Sequence, residues 1–205
     1  MGGRRERDAM LRAWVVPASL LIALGAHPIA TSAATSARVR IVASTYHPKL
    51  FNTKVGRSVT WKNLDGVNHS ATSDLRGFFD TGILDTYMHA TESMFAAGTF
   101  PYHCTIHPYM HGLVQVRLRL SATSTSVGGS VTVFAASKDA PRAFRYDYAK
   151  RFDGRGWMTF RSKSSKRSIT YTANRAGTLQ FRSRVYNANG KPSGWSSPAA
   201  LTVAS

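Results

Sequence analysis

Leu113-Val114-Gln115-Val116-Arg117-Leu118-Arg119-Leu120 decides the fold class of this chain. Val114, Val116, Leu118 and Leu120 fall on one face, and Gln115, Arg117 and Arg119 fall on the other. A period of two residues is that of a strand with one buried and one wetted face. Working outward, the same alternation recurs in residues 38–43 and 58–62, and again in 130–134, 143–148, 157–161, 168–172, 178–186 and 199–203. After the first 37 residues no long stretch carries a helical period. Short strands with turn residues between them predict an all-β chain of sandwiches or barrels.

The 205 residues, 43% hydrophobic and 11% aromatic, have room for two small cores. The stretch Ser121-Ala122-Thr123-Ser124-Thr125-Ser126-Val127-Gly128-Gly129 is polar and small, and reads as a linker or the start of an edge strand. It divides residues 38–120 from residues 130–205. Residues 1–37 read as an export signal. Arg4, Arg5, Arg7 and Arg12 lead a short apolar core from Trp14 to Leu24, and small residues from Ala30 to Ala37 offer cleavage near 33–37. That core is too short to span a membrane comfortably, and no other segment is long enough. The Arg4-Arg5 pair lacks the apolar residues that follow a twin-arginine signal, so ordinary secretion is expected. The mature protein is expected outside the cytoplasm, whether periplasmic, at the cell surface or extracellular.

The net charge of +17 is uneven. Residues 38–120 carry nine Lys/Arg against five Asp/Glu, whereas residues 121–205 carry fourteen against three. A basic second half favours anionic partners, such as cell-wall polymers or acidic proteins, or else is an ordinary solvated surface. Nucleic acid is not expected of an exported chain without a recognition helix or RNA-binding motif.

The chemistry lies in Tyr102-His103-Cys104-Thr105-Ile106-His107-Pro108-Tyr109-Met110, which holds the only cysteine. A single cysteine excludes a disulfide framework. A thiolate, an imidazole and a thioether within seven residues, joined by a second imidazole, make the His₂Cys set with a weak axial Met that suits copper in electron transfer. His69, at the end of a predicted strand and turn and 35 residues before Cys104, supplies the second imidazole. Zinc accepts two His and a Cys, but Met is a poor zinc ligand. The expected ligands are therefore His69, Cys104, His107 and Met110, around one type 1 copper ion. Ser70 and Thr105, beside two of them, are candidates for hydrogen bonds that tune the site. His103 alternates to the opposite strand face, His111 reads as a surface residue, and His47 and His89 have no partner pattern.

With these residues in hand, residues 38–120 resemble the cupredoxins, the small blue-copper proteins typified by plastocyanin, and most closely their amicyanin-like branch. The resemblance rests on Val59-Thr60-Trp61-Lys62-Asn63 leading to His69, on Phe100-Pro101-Tyr102-His103-Cys104, and on the Cys104–Met110 loop with two residues between His107 and Met110. Asp85-Thr86-Tyr87-Met88 departs from the Pro-Gly turn of many relatives, and no ligand is lost. The resemblance implies a Greek-key β-sandwich that carries electrons. Residues 177–190, followed by Ser193-Gly194-Trp195-Ser196, resemble the last strands of fibronectin type III domains, an immunoglobulin-like sandwich with Trp157 and Tyr171 as core aromatics.

These readings imply an electron carrier that docks another redox protein near His107. Copper sequestration or delivery is the alternative, weakened by a closed four-ligand site and the absence of Met-rich or His-rich tracts. Another is a cell-surface binding module with an accessory copper domain. A copper enzyme would need further histidine-built centres. Among the six histidines after the signal no two lie two residues apart, so no enzyme is expected.

Overall fold

The structure, a computed structural model, describes residues 37–205, so the expected export signal lies outside the described residues. Strands β1 (Ala37–Val42), β2 (Thr45–His47), β3 (Leu50–Lys54), β4 (Arg57–Asn63), β5 (Thr72–Ser73), β6 (His89–Met94), β7 (Gly98–His103) and β8 (His111–Arg117) come first. They pair as two four-stranded sheets, β2-β1-β4-β6 and β3-β8-β7-β5. β1 runs parallel to β4 and β3 parallel to β8, so the chain crosses between the sheets instead of meandering within one. Val39, Ile41, Val59, Trp61, Phe100, Tyr102, Val114 and Val116 alternate inward and are fully buried between the sheets.

β9 (Arg119–Leu120), β10 (Ser124–Ser126), β11 (Ser130–Phe134), β12 (Arg145–Phe152), β13 (Met158–Ser164), β14 (Ser168–Thr172), β15 (Gly177–Tyr186) and β16 (Ala199–Ala204) build the rest. Their sheets are β14-β11-β9 and β10-β16-β15-β12-β13. The chain is all-β. No helix among the described residues is long and apolar enough to cross a membrane. The stretch at 121–129 contributes β10, which runs parallel to β16 in register Ser124 to Thr202.

The buried residues of both halves form one continuous core. Backbone hydrogen bonds join the halves: Ala97 donates to the Ala135 carbonyl at 2.7 Å, and Ser137 donates to that of Phe95 at 2.8 Å. Thr99 and Gly194 exchange a pair at 2.9 and 3.1 Å. Phe95 meets Phe144 edge-on with ring centres 5.5 Å apart. Asp147 anchors the second half from the outer face of β12. Its carboxylate accepts from Arg184 Nε (2.9 Å), Tyr186 OH (2.8 Å), Ser162 Oγ (3.1 Å) and the Lys163 amide (2.8 Å). Burial alone would raise the carboxyl's pKa, but these donors outweigh it and hold it below the usual carboxylate value.

Two outcomes follow. Asp147→Asn is expected to cost roughly 2–3 kcal/mol in denaturant unfolding by stranding buried donors. The wild-type contribution is present above pH of about 4, the unfolded carboxyl's range, and fades as pH falls through the lower folded value. The Asn variant should therefore show a flatter acid limb. Gly112→Ala should cost about 1–3 kcal/mol, read as a lowered Tm, because a methyl there would run into the fully buried ring of Tyr102, its cross-strand partner.

Candidate metal centre

β7 delivers the cysteine. It is paired on one edge with β8 and on the other with β5, and Cys104 follows it directly. The loop then turns sharply: the Met110 amide donates to the His107 carbonyl at 2.9 Å, and the Cys104 amide donates to the Met110 carbonyl at 3.1 Å. This folds His107 back over Cys104 and places Met110, 2% exposed, in the interior. His69 comes from the other side of the sandwich, where its backbone exchanges hydrogen bonds with Leu84 at 3.1 and 2.7 Å.

Three donor atoms converge. Cys104 Sγ is 4.0 Å from His69 Nδ1 and 3.7 Å from His107 Nδ1, and the two Nδ1 atoms are 3.1 Å apart. An ion about 2.0 Å from each nitrogen and about 2.3 Å from the sulfur, in one plane, would set the donors roughly 3.5–3.8 Å apart. The observed edges of 3.1, 3.7 and 4.0 Å come within about 0.4 Å of that triangle, so small shifts of the rings would bring all three donors onto one ion. The site's chemistry, one thiolate and two imidazoles with a buried thioether carried by the same loop, is that of type 1 copper. Cys104 and His69 are buried, and His107 is half-buried, so one ligand alone faces solvent.

Hydrogen bonds around the ligands orient them. The Ser70 amide donates to Cys104 Sγ at 3.3 Å, withdrawing charge from the sulfur. Ser70 Oγ lies 3.0 Å from Thr105 Oγ1 and accepts from the Thr105 amide at 2.8 Å, pinning the ligand loop to the His69 segment. Tyr46, fully buried, donates its hydroxyl to the Ser70 carbonyl. Both residues proposed from sequence as tuning partners, Ser70 and Thr105, thus lie at the site. Asp65 and Tyr46 were not anticipated. Asp65 sits four residues before His69, and its Oδ2 is 3.0 Å from His69 Nε2. Burial would raise the Asp65 carboxyl, but the Ser44 and Ala43 amides (2.7 Å each) and His69 hold it below its ordinary value. An ionised carboxylate only accepts, so the His69 proton belongs on Nε2 and leaves the Nδ1 lone pair facing the cysteine. The i, i+4 Asp–His spacing was the available signal, obscured because Asp65 reads as a turn residue.

The other histidines lie apart from this cluster. His103 alternates away from it and pairs with Asp74 at 2.7 Å, and His111 is the exposed cross-strand partner of His103. His47 and His89 are exposed on β2 and β6.

No family model matches the chain. Over 83 residues it is 34% identical to amicyanin from Paracoccus denitrificans, a match that takes in 38% of this chain and 63% of that protein's length. The comparison supports a cupredoxin-like domain. Solved amicyanin structures also resemble it. A copper(I) form of one variant is 29% identical, covering 40% of this chain and 81% of that one with a TM-score of 0.37. A reduced form of another is 30% identical, covering 42% and 87% with a TM-score of 0.38.

Within the cupredoxin-like domain, Asp65→Ala is expected to weaken copper binding roughly 10–100-fold, because the His69 ring loses its orienting partner. A competition titration against a copper chelator measures this, and Asp65→Asn should lose less.

Proposed function

We propose that this is an exported type 1 copper protein that carries single electrons between redox partners and catalyses no reaction by itself. The observation that carries the reading is the convergence of His69 Nδ1, Cys104 Sγ and His107 Nδ1, with Met110 buried on the same loop. Copper in such a set exchanges one electron between Cu(II) and Cu(I). The residues do the rest. Two sheet edges and the Ser70–Thr105 pair hold the donors rigidly, which keeps rearrangement on electron transfer small. The Ser70 amide on the sulfur and the weak thioether of Met110 both favour the reduced form.

His107 is the assigned route for the electron, since it is the ligand that reaches the surface. Exposed apolar side chains accompany it: Ile106 at 43% and Tyr109 at 69% on the ligand loop, with Pro108 between His107 and Tyr109. Val67 and Met88 are also exposed, on segments tied to the His69 strand through Asn63, whose Nδ2 donates to the Val67 carbonyl and whose amide donates to that of Met88. Met110 belongs to the interior and not to this rim. An apolar rim around an electron port favours brief docking of a redox partner. Export by the N-terminal 37 residues and a fibronectin type III-like identity for residues 130–205 belong to the same proposal, with the boundary at residues 121–129.

The test is spectroscopic. Residues 38–205 loaded with Cu(II) should be intensely coloured, with the narrow copper hyperfine splitting of a thiolate-bound site. A colourless protein with an ordinary tetragonal EPR signal would overturn the reading. Cys104→Ala should abolish the colour, and Met110→Gln should keep it while lowering the reduction potential.

A further inference from the structure

The outer face of the second sandwich carries a stack unrelated to the copper ligands. The guanidinium of Arg151 lies 4.7 Å from the ring centre of Trp157, and that of Arg182 lies 4.2 Å from the same ring. Arg182 is also 4.6 Å from the Trp195 ring, and Arg184 is 4.7 Å from it. Three guanidiniums and two indoles therefore alternate in a single row, Arg151-Trp157-Arg182-Trp195-Arg184. Strand register builds it. Arg182 and Arg184 are two residues apart on β15, and across the sheet they face Ala149 and Asp147 of β12. Ala149 is 1% exposed although it is on the outer face, so the stack roofs the sheet. Trp157, expected in the core, belongs to this outer row because it precedes β13 and meets the arginines there.

The row is short of anions. Arg184 has Asp147, and Arg151 Nε donates to Gln180 at 2.5 Å. Arg182 has no carboxylate partner among the described residues, and its Nε is buried without a hydrogen-bond partner. Burial and the charges of Arg151 and Arg184 act together to lower the pKa of Arg182, the mark of like charges held close without compensation. Residues 121–205 as a whole hold fourteen Lys/Arg against three acids.

We propose that this row binds a linear polysaccharide carrying a carboxylate on each sugar, through the outward edges of the stacked guanidiniums. This deepens the anionic-partner expectation and does not depend on the copper reading. The choice of carboxylate rests on Asp147, whose carboxylate already accepts a charge-assisted hydrogen bond from Arg184 Nε at 2.9 Å at one end of the row. The choice of a linear polymer rests on three cations set in single file along the paired strands β12 and β15. Single-stranded nucleic acid is disfavoured because each indole already has two guanidiniums near its ring, leaving little face for a base.

The experiment is a titration of the copper-loaded protein with polygalacturonate, followed by indole fluorescence and calorimetry over a range of salt. Binding should weaken steeply with salt. Arg151→Gln combined with Arg182→Gln should raise Kd about tenfold or more, through lost charge-assisted hydrogen bonds. Arg182→Lys, which keeps the charge but not the planar fork, should fall between. Lys138→Gln combined with Arg142→Gln, the same charge loss elsewhere in this half, should change Kd less than about twofold. Arg151→Gln alone removes one side-chain hydrogen bond and one stacking contact at the end of the row, and keeps the test readable if the double variant fails to fold. Equal losses in the ladder and control variants would overturn the proposal, as would an unchanged Kd in the ladder variants, which would leave a purely structural roof. Preference for polyphosphate, single-stranded DNA or anionic vesicles over polygalacturonate would also overturn it. The blue colour is unaffected in every arm, so failure here is separate from failure of the copper reading.

Discussion

Strand β7 is clamped along its whole length, and the geometry of the metal centre depends on that clamp. Both edges are hydrogen-bonded within the first sandwich, and at its start Thr99 exchanges backbone hydrogen bonds with Gly194 of the second. The Thr99 hydroxyl adds a bond to the Trp195 carbonyl at 2.7 Å. Cys104 therefore emerges from a strand that cannot slide or twist freely. A cysteine on a mobile loop would let the donors follow the metal's preferred geometry. Here the donors hold theirs.

The same clamp explains why both halves share one core. Gly98, at the head of β7, has no side chain because Ser193 and Phe100 occupy the space a methyl would need. Phe78 stacks on Phe100 at 3.5 Å and meets Phe95, which in turn meets Phe144. Aromatic contact thus runs unbroken from beneath the ligand strand into the second half. Whatever the second sandwich binds is held in a fixed relation to the copper ligands, without a flexible tether between them.

Charge is handled differently at the two ends of the molecule. At the candidate metal centre, Asp65 accepts from two backbone amides and one imidazole, so a buried ring is oriented at little cost. On the outer face of β12 and β15, Asp147 compensates Arg184 while Arg182 is covered by indoles and has no anion among the described residues. Stacking on aromatic faces accommodates the cation without neutralising it, which leaves charge available to a ligand.

The sequence alone determined what depends on near neighbours. The period of two in Leu113–Leu120 required a half-buried strand, and Cys104, His107 and Met110 lie so close along the chain that one loop had to carry them. His69 was legible because a strand and turn led to it and the cysteine needed a second imidazole. Tertiary structure decided what depends on register between distant strands. Asp65 became the partner of His69, Ser124–Ser126 became a strand beside Thr202 to Ala204, and Trp157 went to an outer row between two arginines. Periodicity shows that a residue alternates with its neighbours. It does not show which distant residue will lie opposite, because that is set by the pairing of strands far apart in the chain.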